Sequence, residues 1–168
     1  MRRLDLLSDC ASCAAVCCVA PTFEASEDFA CAKPAGARCH HLTSGDRCDI
    51  HGEREARGFR GCVSFDCYGA GQRATRAFAG AAERERPFFA LRELHELLFL
   101  LTEAVKLCPT EHSKLRARLV AQADELDAAA GSVASGRALE QPPFAARVHA
   151  LLREVGAALG GARAPTLG

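Results

Sequence analysis

Apolar positions are unevenly patterned along the chain, and the pattern changes near Ala79. After it, apolar residues recur at helical spacing. Phe88, Leu91, Leu94, His95, Leu98, Leu101 and Val105 form one stripe at three- and four-residue intervals, which predicts a helix from about Pro87 to Leu107. Pro87 suits a first helical turn, where its missing N–H costs nothing, and Pro109 ends the element. Thr110 is placed to cap a second helix, with Glu111 in its first turn. That helix carries Leu115, Leu119, Ala123 and Leu126, and Gly131 is expected to stop it. Ser132 to Gln141 reads as a linker, after which Pro142 and Pro143 open a third helix with Phe144, Val148, Leu151, Leu152, Val155 and Leu159. Three amphipathic helices with short connections favour a small bundle over 80–160, with a disordered tail over 161–168.

Before Ala79 the chain has few long apolar runs and many glycines, so the segment 1–79 reads as a loop-rich module that buries little unaided. Such a module needs a staple, and metal binding can supply the folding free energy. The expected fold class is therefore mainly α: a loop-rich, metal-stapled cysteine module followed by a small three-helix bundle.

The staple is visible in the composition. Nine of the ten cysteines lie between Cys10 and Cys67, four of them within Cys10-Ala-Ser-Cys13-Ala-Ala-Val-Cys17-Cys18. Disulfides would require export, and the N-terminus argues against it. Met1-Arg2-Arg3 gives a basic start, but Asp5 and Asp9 interrupt the apolar run that a secretory signal needs. No stretch approaches the roughly 18 apolar residues of a membrane span. These features predict a cytoplasmic protein whose thiols stay reduced unless a metal holds them. Formal net charge is zero and Trp is absent, which disfavours a nucleic-acid face or a polybasic membrane patch.

Cys10 and Cys13 have the two-residue spacing that lets both thiolates reach one ion. Cys13 and Cys17, four apart, would share a face on a helical turn, leaving Cys18 for a second position. Cys39, Cys48, Cys62 and Cys67 complete the candidate ligand set. Cys31, His40, His41 and His51 are secondary candidates, since imidazole can replace thiolate on zinc. Each also has an ordinary reading, as a small buried residue or a surface histidine. Soft sulfur ligands select zinc, iron–sulfur clusters or Cu(I), and this many thiols exceed one tetrahedral site. Two zinc ions, or a cluster plus a zinc, would match the supply. Cys108 stands apart at the end of an apolar helix and reads as core, as does His95 on the stripe.

The order Cys-x2-Cys-x3-Cys-Cys, then Cys39-x2-Leu42-x5-Cys48-x-Ile50-His51, then Cys62 and Cys67, resembles the YkgJ-type family of zinc- or iron-chelating cysteine-cluster domains. Asp28-Phe29-Ala30, Lys33-Pro34-Ala35-Gly36, Gly58-Phe59-Arg60-Gly61-Cys62, Phe65-Asp66-Cys67, Gly69-Ala70-Gly71-Gln72 and Leu94-His95-Glu96-Leu97-Leu98 resemble the N-terminal region of actinobacterial pentapeptide-repeat-containing proteins. That resemblance covers roughly Asp9 to Leu107, and the pentapeptide repeats are absent here.

Catalysis is not favoured. Cys39 and His40 supply the types of a thiol nucleophile and base without an orienting partner. The Gly69-Ala70-Gly71 stretch fits neither phosphate-binding fingerprint. The leading expectation is a non-catalytic metal-binding protein acting as a structural or interaction module. Its rivals are an iron–sulfur enzyme or electron carrier, which would be brown when purified anaerobically, and a metal store or chaperone. A protein partner or self-association is expected, the latter if part of the first helix's stripe is left uncovered.

Overall fold

A computed structural model describes residues 6–137 and 143–161. The chain is mainly α-helical with a loop-rich, cysteine-bearing first part. Its helices are α1 (Arg60–Ser64), α2 (Ala70–Ala77), α3 (Ala81–Leu107), α4 (Ser113–Ala134) and α5 (Phe144–Gly161). The basic start, Asp5, residues 138–142 of the expected linker and helix start, and residues 162–168 of the expected tail lie outside the described residues.

The stripe on α3 is the spine of the core. Phe88, Leu91, Leu94, His95, Leu98 and Leu101 are all buried, packed with Leu119, Leu126, Ala130 and Val133 of α4 and with Phe144, Val148, Leu151 and Val155 of α5. The stripe is therefore covered within the chain, and the uncovered patch on which self-association was expected is not found there. Leu159 departs from its expected role and stands exposed. Arg116 fastens α4 to the end of α3 by donating to the carbonyls of Val105 and Cys108 at 2.6 and 2.7 Å. Cys108 is 2 % exposed within this core. Cys108→Ala is expected to cost on the order of 1 kcal/mol by denaturant titration and to leave metal content unchanged. Metal loss in that variant would make Cys108 a ligand.

Helix ends differ from expectation at three places. α3 starts at Ala81, a turn and a half before Pro87, because the Glu83 carboxylate accepts the Gly80 N–H at 3.2 Å and anchors an earlier first turn. Pro87 then removes only the bond to the Glu83 carbonyl, and its fixed φ suits the helix. α4 starts at Ser113 rather than after Thr110, since the His112 N–H closes a turn onto the Pro109 carbonyl at 3.1 Å. It runs through Gly131 and stops at Gly136, whose φ of +70° and N–H bond to the Val133 carbonyl form the left-handed terminator that Gly131 was expected to supply.

The first part is less irregular than its glycine content suggests. Two short 3₁₀ turns, Cys10–Ser12 and Val16–Cys18, precede α1 and α2. Isolated antiparallel bridges pair Phe23 with Lys33 and Leu42 with Cys48. α2 holds this part against the bundle. Gln72 is buried, accepting the Asp9 N–H at 2.9 Å and donating to the Leu7 carbonyl at 2.8 Å, while Thr75 accepts the Ala14 N–H at 3.0 Å. Leu6, Val16 and Ala20, with Ala70 and Ala74 of α2, belong to the same continuous core as the bundle.

His95 is the satisfied core histidine that its place on the stripe predicts. It is fully buried, with Nδ1 2.7 Å from the Tyr68 carbonyl and Nε2 3.1 Å from Arg73 Nη1. Arginine only donates, so Nε2 must accept and Nδ1 carries the proton to the carbonyl. Arg73 also lies 3.7 Å from Asp127 of α4. The loop after Cys67 is thereby tied to both α3 and α4.

Candidate metal centre

All ten cysteines are free thiols. The helical turn expected to place Cys13 and Cys17 on one face does not form, because Ala15 between them is left-handed, with φ of +50°. Cys13 is extended and Cys17 lies on the second 3₁₀ turn. Both are nonetheless brought to one place, since Cys13, Cys17 and Cys67 all pack, half-buried, against the helical core.

Gly71 shows how close that approach is. A Cβ at Gly71 would stand 2.8 Å from Cys13 Sγ and 3.8 Å from Cys67 Sγ, so glycine leaves room for two sulfurs at the start of α2. Ser8 lies beside them, its hydroxyl 2.6 Å from Asp66 Oδ1 and 3.1 Å from Cys67 Sγ. The single hydroxyl proton serves the carboxylate, which leaves the Ser8 oxygen to accept from the Cys67 thiol. Thr75 Oγ1 is 3.8 Å from Cys13 Sγ.

The loops carrying the later cysteines are drawn in by two arginines and the backbone. Arg47 donates to the carbonyls of Cys10, Ala11 and Cys13 at 3.2, 2.7 and 3.2 Å, joining the first 3₁₀ turn to the loop before Cys48. Arg54 donates to the carbonyls of His51 and Cys62, both at 2.9 Å. The Cys39 N–H bonds the Cys18 carbonyl at 3.0 Å, and the Leu42 N–H bonds the Cys39 carbonyl at 2.9 Å. Eight candidate thiols thus sit on backbone held together by direct contacts.

Proximity shows in their acidity. The Cys17 thiol hydrogen-bonds Cys18, which raises Cys17 and lowers Cys18 to about 7 against the opposing effect of burial. Lys33, Arg54 and Arg38 add positive charge beside Cys18. Burial is the first cause that raises Cys10, Cys39, Cys48 and Cys62, the last to about 11, and neighbouring thiols raise each further. In reduced, chelated protein near neutral pH, Cys108 is expected to be alkylated by iodoacetamide last, because it is buried in the helical core. Peptide mapping after limited labelling checks this; Cys108 labelling ahead of the other cysteines would refute it.

The secondary candidates take separate places. His40 Nδ1 lies 3.7 Å from Cys31 Sγ, so its thiol neighbour is Cys31 rather than Cys39. His41 Nδ1 is 3.1 Å from Asp49 Oδ1, and its ring stands edge-on to Phe59 at 5.1 Å. His51 is exposed. His149 is an exposed residue of α5, and His112 is exposed just before α4 rather than within it. Among the described residues no three His, Cys, Asp or Glu side chains are grouped so that they could hold a metal ion. The donors fit a soft ion in chemistry and in neighbourhood, while their side chains are not closed around a common point.

Sequence reasoning missed the buried ammonium of Lys33, which donates to the carbonyls of Val19, Pro34 and Ala37 at 2.8, 3.0 and 2.9 Å and lies 5.5 Å from the Phe23 ring centroid. A lysine before proline in a polar loop carries no burial signal in the sequence.

Among the described residues no helix is long and apolar enough to cross a membrane. No family model matches the chain. No solved structure matches it. The chain is similar to the uncharacterized protein YybG of Bacillus subtilis (strain 168), with 37% identity over 124 residues, covering 67% of this chain and 44% of that protein. It thus spans less than half the length of that relative.

Proposed function

We propose that this chain is a non-catalytic metal-binding protein, in which thiolates of Cys10, Cys13, Cys17, Cys18, Cys39, Cys48, Cys62 and Cys67 hold zinc and staple the loop-rich segment onto the helical bundle. The carrying observation is the convergence of Cys13 and Cys67 on Gly71, residues far apart in sequence whose sulfurs both lie beside that glycine, Cys13 in space that only glycine leaves open. The Cys17–Cys18 hydrogen bond supports the same reading, since it lowers the Cys18 thiol toward the thiolate form that a ligand needs. Closing on an ion asks the thiols to turn inward about χ1, a rotation among staggered wells.

Zinc is preferred because four-thiolate tetrahedral sites are its usual structural setting and because a structural ion suits a segment with so few buried apolar residues. Free thiols suit a reducing compartment, in line with a cytoplasmic protein. The quoted motifs support kinship with the cysteine-rich region of pentapeptide-repeat-containing proteins and with YkgJ-type domains, and the stapled surface would serve a protein partner. Elemental and acid-labile sulfide analysis of anaerobically purified protein tests the reading. Zinc without sulfide is expected. Iron with sulfide would replace it by the iron–sulfur reading, and metal-free protein that takes up neither ion would refute both.

A further inference from the structure

The thiols are not one pool. Cys13, Cys17 and Cys67 pack against the helical core, and Cys10 sits on the 3₁₀ turn whose end residue is Cys13. Among the thiols, Cys67 and Cys13 act most strongly on Cys10, ahead of Cys18. Cys39, Cys48 and Cys62 are not part of that packing. Cys39 is hydrogen-bonded through its N–H to Cys18, and Cys48 is bridged to Leu42, which is bonded back to Cys39. Cys62 is tied to the same loops, since Arg54 donates both to its carbonyl and to that of His51, and Cys18, Cys39 and Cys48 are the thiols that act on it. The two groups are adjacent at the Cys17–Cys18 peptide and are joined again by Arg47, which reaches from the loop before Cys48 to the carbonyls of Cys10 and Cys13.

Charge is distributed to match. Arg47 lies across the carbonyls of Cys10, Ala11 and Cys13. The buried Lys33 ammonium is solvated by carbonyls and lies within electrostatic reach of Cys39, Cys18 and the Glu85 carboxylate, with Arg54 and Arg38 also beside Cys18. Glu85 offsets part of the cost of taking the Lys33 cation out of water, and a four-thiolate site of net negative charge would offset more of it together with the charges of Arg54 and Arg38.

We propose that the chain holds two metal ions in two adjacent four-cysteine sites, one formed by Cys10, Cys13, Cys17 and Cys67 and the other by Cys18, Cys39, Cys48 and Cys62, with Cys31 and His40 outside both. The inference rests on the metal-binding reading above and deepens it. In sequence the second set is nested within the first: Cys17 and Cys67 enclose every ligand of the inner site. The outer site therefore clasps the module to α2 and α3, and the inner site gathers the loops from Cys18 to Cys62.

Full-length protein loaded with cadmium and followed by cadmium–proton correlation NMR assigns the ligands without substitution. Two resonances are expected, one coupled to the β-protons of Cys10, Cys13, Cys17 and Cys67 and the other to those of Cys18, Cys39, Cys48 and Cys62. One resonance, or coupling to Cys31 or a mixed set, would overturn the division while leaving metal binding in place. No cadmium uptake would overturn the metal-binding reading itself, and the division with it. Metal content gives a second reading. Zinc per chain is expected to fall from two to one in Cys62→Ser. Gly71→Ala, which sets a methyl against Cys13 Sγ, is expected to lose the other ion and keep the inner one. Loss of both ions in each soluble variant, or of neither, overturns the division.

Discussion

Strong chelation under reducing conditions is expected to unfold the segment from Cys10 to Cys67 while α3, α4 and α5 stay helical. The apolar residues that the segment buries are few: Val16, Ala20, Ile50 and Phe59. Much of its backbone is bonded in turns, so each hydrogen bond fixes a short loop rather than extending a cooperative ladder. Conformational entropy of roughly 1–2 kcal/mol per ordered residue opposes it, and metal–thiolate bonds are what would offset that cost. The bundle differs in kind, with α3 alone burying Phe88, Leu91, Leu94, Leu97, Leu98 and Leu101. α1 and α2 contribute only 5 and 8 helical residues, against 27, 22 and 18 in the later helices. Far-UV ellipticity should accordingly fall by a small part. Hydrogen exchange should be lost selectively, with the Cys39 amide deprotected and the middle of α3 protected. Unchanged exchange after confirmed metal loss would show that the loops hold themselves.

That contrast tracks what was legible in the sequence. The α3 stripe could be read because its buried face is made of large apolar residues at helical period, and the structure buries them from Phe88 to Leu101. α2 could not, because its buried face is Ala70, Gly71, Gln72 and Ala74. Small and polar residues leave no hydrophobic period. They are there because Gly71 must admit the Cys13 sulfur and Gln72 must bind the Leu7–Asp9 backbone. The cysteines were legible as a group by spacing, but their neighbourhoods were not. A single left-handed residue, Ala15, decides where Cys13 and Cys17 lie, and nothing in Cys-Ala-Ala-Val-Cys announces it. His40 was adjacent to Cys39 in sequence, yet its ring lies by Cys31 in space.

The second large effect lies in the bundle. Leu101→Ala is expected to cost roughly 2–5 kcal/mol, and Leu98→Ala a cost in the same range. Leu101 is fully buried and Leu98 is 4 % exposed, both on the α3 face that meets α4 and α5. Removing a leucine side chain there forfeits its transfer free energy and leaves a cavity. The neighbours are fixed at both ends of α4, by Arg116 on the α3 terminus and by Gly136 at the stop, so the space cannot readily collapse. Leu107, 61 % exposed and two residues beyond Val105 at the end of the same helix, is the control. Leu107→Ala should stay within about 0.5 kcal/mol of the parent. Denaturant midpoints of metal-loaded protein, compared at unchanged slope, measure all three. A Leu101→Ala cost under about 1 kcal/mol, no larger than that of Leu107→Ala, would show that the stripe is not the core and would reopen it as an interaction surface.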